Sequence, residues 1–258
     1  MKKENFIKKT WDKLAIEYKE SHWASWGDHF AIQLEIETII KHINKDAIVL
    51  DVGCSNGHAT LKYLEASPKK IYGLDFSEEM IKQAKDIIEN LNERDKVEFS
   101  VGNIINIPFK DETFDITFTT RVLINLPNWE EQQKGIKECI RVTKKSGKII
   151  FSEAFWEPLV LLNTLRSIKN LPPLIEHDFN RYLKTSKLEE FLKNNNLKYE
   201  KVDFSSIYYL GSRFLRELVT NPNDYKGYSN PINKIFFEIE KDFSGGEFGI
   251  QQAYIITK

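Results

Sequence analysis

Apolar residues recur along this chain with two different spacings, and the switch between them marks out its elements. From Phe6 to Ile43 they return at helical intervals, interrupted at Ser21-His22-Trp23-Ala24-Ser25-Trp26-Gly27-Asp28-His29. Short apolar runs then alternate with amphipathic stretches. The runs predict strands near Ile48–Val52, Ile71–Asp75, Val97–Val101, Phe114–Thr119 and Lys148–Glu153, and the stretches predict helices near Ala59–Ala66, Glu78–Leu91 and Glu130–Arg141. Such alternation implies a parallel sheet covered by helices on both faces. Ser77 followed by Glu78 and Glu79 supplies a hydroxyl cap and acids for the positive end of a helix. The alternation then breaks. Residues 155–182, with Trp156, Pro158, Pro172, Pro173 and His177, read as an insertion before a helix over Ser186–Asn194 and a strand over Tyr199–Phe204. Residues 205–250 read as a second, aromatic and partly helical insertion before a last strand over Ala253–Thr257.

The 258 residues suit one large α/β domain carrying a cap. Lysine and arginine number 37 against 38 aspartates and glutamates, so no global charge favours nucleic acid. Cys54 and Cys139 are too few for a disulfide framework and belong to no paired ligand motif, which points to a reducing compartment and no metal. No run of about 18 apolar residues is present. The expectation is a cytoplasmic protein with no membrane partner.

The chemistry concentrates at the first strand-to-helix turn, Asp51-Val52-Gly53-Cys54-Ser55-Asn56-Gly57. Glycines there let a ligand approach backbone closely and allow positive φ. The second strand ends at Asp75, about 20 residues on, where a carboxylate can accept the hydroxyls of a ribose. An adenosine-type pocket follows. Two other readings share parts of the pattern. Gly53-Cys54-Ser55-Asn56-Gly57 spells the Gly-x-Ser-x-Gly elbow of hydrolases, with Asp115, Asp178 and His177 as triad partners, but the elbow follows the first convincing strand rather than several. A nicotinamide site would want Gly-x-Gly-x-x-Gly, and Ser55 stands where its second glycine belongs.

The turn, the acid at Asp75, Val101-Gly102-Asn103-Ile104, the segment Phe114 to Pro127, and Arg141-Val142-Thr143-Lys144-Lys145-Ser146-Gly147 together resemble the class I S-adenosylmethionine-dependent methyltransferases. Ser55, Asn103 and Asn125 replace that family's usual glycine, aspartate and histidine. The resemblance implies a doubly wound, Rossmann-like seven-stranded sheet, mostly parallel with an antiparallel last strand, in a single domain over 1–258. A helical flap would cover 1–45, the cofactor-binding core 46–154, and acceptor-side cap insertions 155–182 and 205–250.

It also implies S-adenosylmethionine as cofactor. Gly53, Asp51, Ser55, Thr120 and Arg121 would surround its methionine part, Asp75 its ribose, Phe76, Asn103 and Ile104 its adenine, and Tyr18, rather than Trp11, would reach it from the flap. The amide oxygen of Asn103 would accept from the adenine amine. Methyl transfer needs a base only for some acceptors, and His177, ahead of His22 and His29, is the candidate. The acceptor is expected to be a small polar molecule. Asn180, Arg181, Arg213 and Gln251 amid aromatic residues suit a sugar or a phosphate handle. Tyr208-Tyr209-Leu210-Gly211-Ser212-Arg213-Phe214 and Gly245-Gly246-Glu247-Phe248-Gly249-Ile250-Gln251-Gln252 resemble segments of surface-polysaccharide methyltransferases, which implies a hydroxyl of a sugar or sugar phosphate as acceptor. N-methylation of a small molecule and a non-catalytic cofactor-binding protein stay open, as does the oligomeric state.

Overall fold

The computed structural model describes residues 2–89, 94–221, 224–225 and 228–258. Two helices come first, α1 (Lys2–Tyr18) and α2 (His29–Ile40), separated by a 3-10 turn at His22–Ala24. The strands β1 (Ile48–Val52), β2 (Lys70–Asp75), β3 (Val97–Val101), β4 (Phe114–Thr120), β5 (Thr143–Ala154), β6 (Lys198–Val202) and β7 (Gln251–Thr257) form one sheet in the order β3-β2-β1-β4-β5-β7-β6. The first five strands pair in parallel, and β7 runs antiparallel to both β5 and β6. This is the seven-stranded, mostly parallel sheet that the strand–helix alternation and the resemblance implied. Its strands are apolar on both faces because both are covered: Val49, Leu50, Ile71, Phe118 and Ile150 have no exposed surface.

Helices α3 (His58–Lys62), α4 (Glu78–Ile88) and α5 (Trp129–Val142) are the crossovers among the first five strands. Ser77 caps α4 by accepting from Met80 N at 3.1 Å. Helix α4 ends before the sequence pattern does, and Asn90 and Leu91 lie outside the described residues. Strand β5 starts at Thr143 rather than Lys148, because Thr143 pairs with Phe114 across a register shift and its hydroxyl donates to Cys139 O at 2.6 Å. Strand β6 ends at Val202, leaving Phe204 to bury itself beyond the sheet edge.

The insertions hold α6 (Trp156–Ile168), followed after α7 (Thr185–Asn194) and β6 by α8 (Ser206–Leu210), a π-helical turn at Gly211–Leu215, α9 (Arg216–Val219) and α10 (Asn233–Asp242). The second insertion is fastened to α2 by a buried knot. Asp28 accepts from Tyr208 Oη at 2.5 Å and pairs with the Arg213 guanidinium, while Arg166 donates to Arg213 O and to Pro172 O, the latter at 2.7 Å. Residues 222–223 and 226–227 of that expected cap lie outside the described residues. No described helix is long and apolar enough to cross a membrane.

Candidate functional site

Strand β1 has β2 on one side and β4 on the other, so the chain leaves it in opposite directions and a crevice opens at the carboxyl ends. The turn after β1 folds back on β2: Gly53 N donates to Leu74 O at 2.6 Å and Ser55 N to Asp75 Oδ2 at 2.9 Å. Gly53 sits at φ 80°, and a Cβ there would run into Val122. Ser55 takes φ 51°, a left-handed conformation that a serine tolerates at some cost, so the turn keeps its shape with a side chain in place of glycine.

The crevice is a cavity of about 520 Å³. Asp51, Gly53, Ser55, Asp75, Phe76, Asn103, Ile104, Thr120 and Arg121 all line it. Tyr18 does not. It packs beside Ala15, Ala24 and Met80 with its ring 6.3 Å from Trp23, whereas Ile7 and Trp11, further back on α1, reach the cavity. The cause is the seating of α1: Lys8 pairs with Glu78 at 2.9 Å and Asp12 accepts from Ser77 Oγ at 2.5 Å, which turns the Trp11 face inward over α4. The 3-10 turn carrying His22 is held above the β1 turn by Asn56, whose Nδ2 donates to Lys19 O and Ser21 O at 2.5 and 2.9 Å. Among the described residues no lining residue lies beyond Glu131, so the described parts of the two insertions do not contribute to the wall.

Two buried carboxylates face this space in different states. Asp75 receives Ser55 N on Oδ2 and Ser77 N on Oδ1, each at 2.9 Å. Burial nevertheless pushes it up to about 6. Asp51, 2% exposed, accepts from Thr60 Oγ1 at 2.6 Å through Oδ2, and its Oδ1 has no partner. Burial raises it to about 7. A buried acceptor left open is costly unless a ligand fills it. Asn125 Oδ1 is a second such acceptor, and the amide is oriented by Nδ2 donating to Arg121 O at 2.7 Å. Asn103 Oδ1 accepts from Ile105 N at 3.1 Å, so only its second lone pair is left for the adenine contact expected of it.

The far wall is set by two acids that the sequence pattern did not single out. Glu153, fully buried, accepts from Thr119 Oγ1 at 2.7 Å and from the backbone N–H groups of Val122, Leu123 and Ile124 at 3.1, 3.1 and 3.3 Å. It thereby shapes the loop after β4, and burial raises it to about 7. Glu35 pairs with Arg121 and accepts from Ser152 Oγ and Gln251 Nε2 at 2.5 and 3.0 Å. Arg121, at φ 58°, also lies 5.0 Å over the Trp26 ring.

The remaining expected residues lie elsewhere. His177 is exposed, stacks on Phe179 at 5.9 Å, and lines a separate surface depression with Trp156, Val160, Ile175 and Arg181. The structure therefore moves the foremost candidate base out of the cavity, because residues 174–181 lie against α6, whereas His22 lines the cavity and His29 is exposed beside it. Arg213 is bound to Asp28 and Gln251 to Glu35, Asn180 is buried away from the wall, and Arg181 lies exposed at the surface depression, so none of the four polar groups expected to hold a sugar lines the cavity. His58, which nothing in the motif pattern marked, lines the cavity at the start of α3.

Residues 43–205 match the family model described as a methyltransferase domain. The chain is 35% identical over 115 residues to a demethylmenaquinone methyltransferase of Lactiplantibacillus plantarum, an alignment covering 43% of this chain and 47% of that protein. It is 31% identical over 122 residues to an uncharacterised methyltransferase of Schizosaccharomyces pombe, covering 45% of this chain and 43% of that one. The chain thus spans under half the length of these two relatives. In fold it is similar to a chain of the complex between the Trm112 methyltransferase activator and a methyltransferase of Haloferax volcanii, with a TM-score of 0.61, 13% identity and 96% of each chain covered.

Proposed function

Because the chain belongs to the methyltransferase-domain family, we propose that it uses S-adenosylmethionine to methylate a small-molecule acceptor. The observation that carries this reading is Asp51 Oδ1, a buried acceptor without a partner beside the glycine turn. An amino-acid ammonium is the donor it lacks. A pyrophosphate beside the turn would meet repulsion from Asp51, which weighs against the nicotinamide reading.

When bound, S-adenosylmethionine supplies a methyl group already activated by a sulfonium. The chain's own task is to hold and orient. Asp51 takes the ammonium, Asp75 keeps a lone pair on each oxygen for ribose hydroxyls, and Phe76 and Ile104 present apolar faces to the adenine. Ile7 and Trp11 close the cavity from the flap and exclude water. The rest of the wall, with Ile32, Val122, Leu126 and Pro127, favours an acceptor with an apolar body over a sugar. The names of relatives acting on demethylmenaquinone and norajmaline support that class.

The test is incubation of the purified chain with methyl-tritiated donor and a fractionated cell extract. Label is expected in the small organic fraction. Label confined to RNA or protein would replace the acceptor class, and no transfer anywhere would favour a cofactor-binding protein without catalysis.

A further inference from the structure

Three histidines from three elements meet at one edge of the cavity. The His22 ring lies 5.4 Å from His29 at the start of α2 and 5.9 Å from His58 at the start of α3. His22 and His58 line the cavity, and His29 is exposed. The described residues hold no group of His, Cys, Asp and Glu arranged for a metal ion. The cluster is not incidental to the fold: Asn56 fixes the Lys19 and Ser21 carbonyls just ahead of His22, and its Oδ1 accepts from His58 N at 3.3 Å. The same turn carries Asp51, which places the imidazole near the end of the cavity where the amino-acid tail of the donor would lie.

Resting on the donor-binding reading above, we propose that His22 is the base that takes the proton from a hydroxyl-bearing acceptor in this cavity, with His29 as its outlet to solvent. The acceptor oxygen forms its bond to the methyl carbon as the carbon–sulfur bond breaks, leaving the electron pair on sulfur. The hydroxyl proton passes to a ring nitrogen of His22 and then to water. For this His22 must be unprotonated beforehand. Burial holds its imidazole below the ordinary value, and the positive charges that His29 and His58 can carry add to that, against the opposing charge of Asp28. On His58, burial again lowers basicity, helped by Lys62 and His29, while the backbone at Glu20 works the other way. A neutral imidazole at the cavity wall is what general-base transfer requires.

4-Nitrophenol reports its own ionisation by colour and serves as the probe. With S-adenosylmethionine bound, its sulfonium charge and the His22 acceptor together are expected to lower the ionisation of the bound phenol, giving the wild-type chain a saturable phenolate band on the acid side of the free phenol's own. His22→Gln should lose the band while keeping donor affinity within about twofold, and His177→Gln should keep it. In the donor complex, replacing His29 and His58 by glutamine should move the His22 Cε1–H titration upward. A band that is absent in the wild type, or that survives His22→Gln, overturns the proposal while the donor reading stands. Loss of donor binding in the wild type overturns both.

Discussion

Asp28 and Asp51 are both aspartates with almost no exposed surface, yet the fold treats them in opposite ways. Asp28, at the start of α2, has both oxygens taken: Oδ1 by Tyr208 Oη at 2.5 Å and Ala31 N at 3.3 Å, Oδ2 by Arg213. Asp51, at the end of β1, lines the cavity and has one oxygen satisfied by Thr60 and one buried without a partner. A buried carboxylate saturated by its own chain holds elements together. One left half-satisfied adds an energetic cost to the free protein and a place for a cationic ligand. The second insertion and the β1 turn therefore divide the work, one fastening the flap and the other, in the proposed function, meeting the donor.

The sharpest way to break the comparison is to remove a partner from the saturated acid. Arg213→Met leaves Asp28 buried and uncompensated, and should cost about 3–5 kcal/mol of stability in denaturant unfolding. Donor affinity of the folded fraction should stay within about twofold, because Arg213 does not line the cavity. Asp51→Asn should do the reverse: donor affinity falls about 10- to 100-fold, with stability unchanged or slightly raised.

The open acid also gives two pH dependences of opposite sign. In the free chain Asp51 and Glu153 hold their protons up to about 7, above the ordinary carboxylate range. Their contribution to stability is full below the unfolded values and is lost as pH rises through about 7. The cofactor-free chain should thus melt at a higher temperature at pH 6 than at pH 8. An ammonium instead needs Asp51 ionised, so donor affinity should rise several-fold, up to about tenfold, from pH 6 to pH 7.5. Asp51→Asn should flatten the affinity profile. The smallest effect belongs to Ser55→Gly, which relieves the left-handed serine but restores chain entropy, and should change stability by less than about 1 kcal/mol.

Much of the site was legible because its residues follow the sheet in order. Asp51, Gly53, Asp75, Asn103 and Thr120 sit at or just beyond successive strand ends, and a parallel sheet brings those ends together by construction. What stayed hidden depends on which distant side chain pays a visit. Trp11 rather than Tyr18 faces the cavity because Lys8 and Asp12 find Glu78 and Ser77 some 70 and 65 positions away. Arg213 reads as a ligand-binding cation until Asp28, 185 positions away, claims it. Glu35 and Glu153 carry no motif at all, and their role in shaping the loop after β4 appears only once Arg121, Ser152 and Thr119 are in place. The described residues of the long insertions, whose composition suggested the acceptor, turn out to pack on α2 and on each other rather than line the cavity.

The most direct test is calorimetric titration of wild type and Asp51→Asn with S-adenosylmethionine at pH 7.5, with NAD as control. Saturable one-to-one binding of the methyl donor, none of NAD, and at least about tenfold weaker binding by the variant is the expected result. Equal affinity in both proteins, or no binding of the donor to the wild type, would contradict the assignment of this cavity.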